Sequence, residues 1–151
     1  MNKNIALQKC MKICSVKEYA PGDIEEKLNQ WGIIENDIAE IISILTKEKF
    51  LDEYRMAKYY VNDKIRFNKW GRIKVGIMLR QKGVSSQAIN EAMENFDHNE
   101  YLLILENELK KKFKTIKESD PYKIRGKLAQ FATGRGFEAD VIHKLINKIL
   151  K

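Results

Sequence analysis

Two prolines, two cysteines and two histidines are all that 151 residues contain of these types. So few prolines leave helices uninterrupted over most of the chain. No stretch approaches the roughly 20 consecutive apolar residues that span a bilayer. Lys3, Lys9 and Lys12 break up the apolar residues at the amino terminus, so no signal-peptide core is visible there. A cytoplasmic protein with no membrane partner is the expectation. Cys10 and Cys14 stand four apart, one turn of a helix, and read as reduced thiols that pack rather than as metal ligands. His98 and His143 are far apart, and neither a glycine-rich phosphate loop nor a zinc spacing occurs. No nucleophile has a base beside it by spacing. No catalytic residue, cofactor or metal is therefore assigned, and the chain is read as a non-enzyme.

What is abundant points the other way. Hydrophobic residues make up 44% and charged residues 32% of the chain, a profile that favours an all-α fold. The net charge is +7, unevenly spread: −1 over residues 1–51, +4 over 52–96 and +4 over 97–151. From Lys64 to Asn90 there is no acidic residue at all. That stretch carries Lys64, Arg66, Lys69, Arg72, Lys74, Arg80 and Lys82, with Phe67 and Trp70 among them. Such a one-signed segment suits phosphates or an acidic protein groove.

A repeat organises the apolar residues. Gly32 precedes Ile33, Gly83 precedes Val84 and Gly136 precedes Phe137, at spacings of 51 and 53. Eight residues before each glycine stand Ile24, Val75 and Leu128; six after stand Ile38, Ile89 and Ile142. Four before stand Leu28, Leu79 and, as the weakest match, Ala132. Steps of three and four are helical, and a glycine between them is where a helix stops in a left-handed residue. Each copy thus ends in helix, glycine turn, helix, with a further helix ahead of the pair. The spacing predicts helices near 3–15, 21–31, 35–47, 53–68, 72–82, 86–96, 98–118, 121–133 and 138–150. Pro21, Ser85 and the pair Asp120, Pro121 read as helix starts, and Asp52 and Glu53 as residues that cap or lead the fourth helix. The chain divides into three tandem, helix-turn-helix-like repeats, 1–51, 52–96 and 97–151, expected to form an elongated, curved monomer.

The run from Phe50 through Tyr54, Tyr59, Tyr60 and Arg66 to Trp70 Gly71 Arg72 Ile73 Lys74, then Leu79 Arg80 Gln81 Lys82 Gly83 Val84, resembles the central repeat of the RecX family. Arg66 to Lys74 is its most specific part. The resemblance implies a cytoplasmic regulator that binds the RecA recombinase filament on single-stranded DNA. There it would restrain ATP hydrolysis, strand exchange and co-protease activity, in recombination, repair and the SOS response. The partners implied are the RecA filament and, through phosphates, single- or double-stranded DNA.

The expected binding face is Lys64, Arg66, Lys69, Trp70, Arg72, Lys74, Arg80 and Lys82. The arginines are read as forks for phosphate or carboxylate. Reversing Arg66, Arg72 and Lys74 to Glu is expected to spare the fold. Phe67 and Trp70 are read as packing at a corner between helices, with stacking on nucleotides as the second option. Trp31 is read as a staple of its own turn. Among Tyr54, Tyr59 and Tyr60, one should face inward and another outward. Lys110, Lys111, Lys112, Lys114 and Lys117, flanked by Glu106, Glu108 and Glu118, read mainly as a solvated helix, with DNA contact second. A helix-turn-helix transcription regulator and a helical protein-interaction scaffold are the alternatives.

Overall fold

The computed structural model describes all 151 residues, and every regular element in it is a helix. In chain order these are α1 (Lys3–Cys14), α2 (Pro21–Gln30), α3 (Glu35–Lys47), α4 (Glu53–Arg66), α5 (Arg72–Gln81), α6 (Ser86–Asn95), α7 (His98–Thr115), α8 (Pro121–Gly134) and α9 (Ala139–Ile149). No helix is long and apolar enough to cross a membrane.

The three glycine stops are one motif used three times. Gly32, Gly83 and Gly136 have φ of 78, 84 and 88°, the left-handed region. In each, the glycine N–H bonds the carbonyl three residues back (Asn29, Arg80, Thr133). The next N–H bonds the carbonyl five back (Leu28, Leu79, Ala132). This pair of bonds satisfies the carbonyls a helix end leaves open. The residues it brings together, Leu28 with Ile33, Leu79 with Val84 and Ala132 with Phe137, are all buried. The third copy sets a small residue against a large one where the others set two branched aliphatics. Lys49, at φ 66°, closes α3 in the same way without a glycine, bonding Thr46 O while Phe50 N–H bonds Leu45 O.

Helix starts follow the sequence closely. Asp120 accepts the Tyr122 N–H ahead of Pro121, Ser85 Oγ accepts the Ala88 N–H, and Asp52 accepts those of Tyr54 and Arg55. Helix α7 ends at Thr115, three residues short of the expected 118, because Ile116 turns extended at φ −79°, ψ 119°. The residues ahead of Pro121 are held there by Glu118, which accepts the N–H groups of Ser119 and Asp120.

The chain packs as two compact units, residues 1–59 with 78–92 and residues 60–77 with 93–151. Helices α4, α5 and α6 each give residues to both. In the first unit Ala6, Cys10 and Cys14 of α1 meet Ile24 and Leu28 of α2 and Ile38, Ile41 and Leu45 of α3. Trp31 packs against this cluster from the turn it caps. In the second, Tyr101, Leu105 and Leu109 of α7 are buried with Leu128 and Ala132 of α8 and Ile142, Leu145 and Ile146 of α9. Tyr60 is buried while Tyr54 and Tyr59 stay about half exposed.

Both thiols lie in the first core and neither forms a disulfide. Burial, with Cys10 nearby as the next cause, pushes the Cys14 thiol up to about 11. Its protonated form is thus favoured by folding, and that contribution is complete below pH 9 and lost as pH rises toward 11. The native chain should therefore be alkylated at Cys14 far more slowly at pH 8 than the urea-unfolded chain. Equal rates by mass spectrometry would refute the buried, neutral thiol.

Each unit also contains the same backbone joint. In the first, the start of α2 meets the turn after α5: Gly22 N–H donates to Lys82 O at 2.8 Å, and Lys82 Nζ reaches Asp23 at 2.6 Å. In the second, the start of α5 meets the turn after α8. Gly71 N–H donates to Arg135 O at 2.8 Å and Ile73 N–H to Gly136 O at 3.0 Å, while Arg72 reaches Glu138 at 3.1 Å. The charge order is swapped between the two joints. A Cβ on Gly22 would fall 2.7 Å from the Lys82 carbonyl oxygen, and one on Gly71 2.3 Å from that of Gly136. Neither position has room for a side chain.

Candidate functional site

The acid-free stretch begins at the end of α4. Its closing corner is made by Lys69, whose φ of 58° is left-handed without a glycine. This bend brings the Trp70 N–H onto Lys64 O at 3.1 Å. Trp70 is half-buried, with Lys74 Nζ 4.3 Å and Lys64 Nζ 5.4 Å from its ring centre. Each such contact contributes about 0.5–1 kcal/mol at an exposed site. Lys64, Lys74 and Trp70 therefore form one cluster. Phe67 corrects the sequence expectation. It does not pack: 77% of it is exposed, because it follows buried Ile65 by two residues and so falls on the opposite side of the helical path.

Arg66 and Arg72 are not free forks. Arg66 Nε and Nη2 hold Glu100 at 2.7 and 3.0 Å. This hydrogen-bonded pair lowers the Glu100 pKa and raises that of Arg66. Its stabilising share is present above the ordinary carboxylate value and is lost as pH falls through the lowered one. Arg72 sits deeper. Its guanidinium carbon is 3.8 Å from the Tyr101 ring centre, Nη1 is 3.1 Å from Glu138, and Nη2 donates to His98 Nδ1 at 3.1 Å. Its backbone N–H donates to the Tyr101 hydroxyl at 3.0 Å. That hydroxyl in turn donates to Glu138. Burial first, and this bond to Glu138 next, raise the Tyr101 pKa. With only 20% of its side chain exposed, Arg72 is a structural pin. The expectation that the triple reversal spares the fold is therefore replaced: Arg72→Glu would set two carboxylates together in a part-buried site.

Lys64, Arg66, Lys69, Trp70, Arg72 and Lys74 belong to the second unit, and Arg80 and Lys82 to the first. Arg80 is exposed, while Lys82 is half-buried against Asp23. The residues that sequence reading missed are the acids Asp23, Glu100 and Glu138 and the phenol Tyr101. They lie 59, 34, 66 and 29 residues from the bases they hold. No local spacing could have paired them.

Residues 52–93 match the family model for the RecX second three-helix domain, and residues 99–146 match that for the third. The chain belongs to the RecX family. It is 28% identical over 145 residues to the regulatory protein RecX of Clostridioides difficile, covering 96% of this chain and 68% of that protein. It is 30% identical over 129 residues to that of Clostridium tetani, covering 84% of this chain and 59% of the relative. A crystal structure of a regulatory protein RecX shares the fold at a TM-score of 0.86 and 21% identity, over 96% of this chain and 71% of that one. The eight bases and aromatics marked by the sequence all fall within the matched RecX second domain. Glu100, Tyr101 and Glu138, which hold two of them, fall within the third.

Proposed function

We propose that this chain is a non-catalytic, cytoplasmic regulator that binds the RecA filament on single-stranded DNA and restrains its ATP hydrolysis, strand exchange and co-protease activity. The observation that carries this reading is the likeness to proteins named regulatory protein RecX over 84–96% of the chain, joined to the two domain matches. The basic stretch from Lys64 to Lys82 is the proposed contact. Of its members, Lys69 and Arg80 form no salt bridge: Arg80 is exposed and the ammonium of the half-buried Lys69 bonds the Arg66 carbonyl, so they are the ones to reverse.

Titrating the chain into recombinase filaments on single-stranded DNA should progressively slow ATP hydrolysis. The Lys69→Glu, Arg80→Glu double variant should keep its helical circular dichroism and inhibit more weakly. Unchanged hydrolysis at saturating native chain would end the filament reading. Equal inhibition by the folded variant would remove these residues from the contact.

A further inference from the structure

We propose, on the reading that the chain binds the recombinase filament, that Phe67 anchors that contact by seating in an apolar pocket of the recombinase with an acidic rim. It supplies what the flanking bases cannot, a dry contact that salt does not weaken.

Of the six phenylalanines, Phe67 is the only one more than half exposed. Phe96 and Phe137 are buried, Phe50 and Phe131 half-buried, and Phe113 is 38% exposed. The other exposed aromatics, Tyr54, Tyr59 and Tyr122, each carry a hydroxyl that water can hold. Phe67 has no such handle. One apolar side chain at a surface is ordinary by itself; this one stands on a rigid corner inside a stretch that has no acid from Lys64 to Asn90.

The corner is fixed at both ends. The Phe67 N–H still bonds Asp63 O at 2.9 Å, completing the last turn of α4, and the Trp70 N–H turns back to Lys64 O at 3.1 Å. Ile65 is fully buried on the inner side. Past the corner, the Gly71 N–H is tied to Arg135 O at 2.8 Å. Between these bonds Lys69 is held at its left-handed φ of 58°, a region that few residues other than glycine enter without need. A ring on a preformed corner has only two side-chain torsions to lose on binding, so little of its burial is spent on ordering. Interface hot spots are rich in aromatic rings of this kind.

The cations nearest in sequence select the occupant. A nucleic-acid strand stacked on Phe67 would need free cations alongside to follow its phosphates. Arg66 is closed on Glu100, with its guanidinium carbon 5.1 Å from the Phe96 ring centre. Lys64 Nζ is 3.6 Å from Asp63 and 5.4 Å from the ring centres of both Tyr60 and Trp70. Lys69 bonds the Arg66 carbonyl and keeps further N–H donors for a partner. One available cation beside an apolar ring does not make a phosphate track. It fits a protein pocket with a carboxylate on its rim.

Anisotropy of the labelled chain, titrated with recombinase filaments on single-stranded DNA, tests the anchor. Phe67→Ala should keep the native melting temperature and bind about thirtyfold more weakly. The factor should be the same at low and high salt, because no charge is removed. Phe67→Leu should recover most of the affinity. Phe67→Tyr should not, because its hydroxyl would enter the pocket without a partner. Leu103→Ala, at a 54% exposed position of the same unit, should bind like the native chain. Native affinity in Phe67→Ala, or equal losses in Phe67→Ala and Leu103→Ala, would overturn the anchor while the filament reading stands. Native affinity in Phe67→Tyr, with Phe67→Leu as weak as Phe67→Ala, would assign the ring to stacking on nucleotides and overturn the protein pocket. No binding by the native chain would end both readings.

Discussion

Gly71→Ala should destabilise the chain by about 2–4 kcal/mol, while Gly126→Ala should stabilise it by about 0.5–1 kcal/mol. The same methyl group is added in both. At Gly126, on the exposed side of α8, nothing lies within 4 Å of the new carbon, and alanine simply has the better helix propensity. At Gly71 the carbon would fall 2.3 Å from Gly136 O and 2.4 Å from Phe137 N, both backbone atoms. The start of α5 must then back away from the turn. Overpacking of this kind costs about 1–3 kcal/mol, and the Gly71 and Ile73 N–H bonds to Arg135 and Gly136 each risk about a further 0.5–1.5 kcal/mol. Against a typical domain stability of about 5–15 kcal/mol this is a large fraction. Denaturant melts of both variants decide the matter. A Gly71→Ala midpoint equal to that of the native chain would show that the joint yields more easily than its geometry indicates.

Arg72→Glu should cost about 3–5 kcal/mol, the usual result of leaving a part-buried charge unpaired, and here the new carboxylate would also face Glu138. Arg66→Glu, which breaks an exposed pair, should leave the melting temperature close to native. Tyr101→Phe lies between them. It would strip both the acceptor from the Arg72 N–H and the donor from Glu138, a loss of about 1–3 kcal/mol. The same cluster makes a pH prediction. Folding favours the neutral phenol, so its contribution is complete below the unfolded value near 10 and is lost as pH rises above it. Native chain should lose stability in that range more steeply than Tyr101→Phe. Thermal melts showing equal losses would place the alkaline sensitivity elsewhere. Because Arg72 supports the fold, loss of filament inhibition on its replacement would not identify a contact residue.

The comparison of Arg66 with Arg72 shows where sequence reading of the site stopped. Both stand in an acid-free run, and by composition they are alike. One closes a surface pair with Glu100 while the other is pinned among Tyr101, Glu138 and His98. The difference arises from partners on α7 and at the start of α9, so nothing near either arginine in the chain could announce it. Phe67 was misplaced for a local reason. The inward register of α4 runs through Val61 and Ile65, and two further residues carry Phe67 to the outside. Lys111 pairs with the flanking Glu108, as local spacing suggests, but Arg135 reaches the same carboxylate from 27 residues away.

By itself the sequence determined nine helices, their ends to within about three residues, the three left-handed glycines and the cap residues Asp52, Ser85 and Asp120. These are local matters: helical periodicity, backbone freedom at glycine, and side-chain oxygens within three residues of an open N–H. Tertiary structure alone decided that Gly22 and Gly71 are required by close backbone approach. It also decided which bases are held and which are free, because burial and ion pairing depend on atoms that only folding brings within a few ångströms of each other.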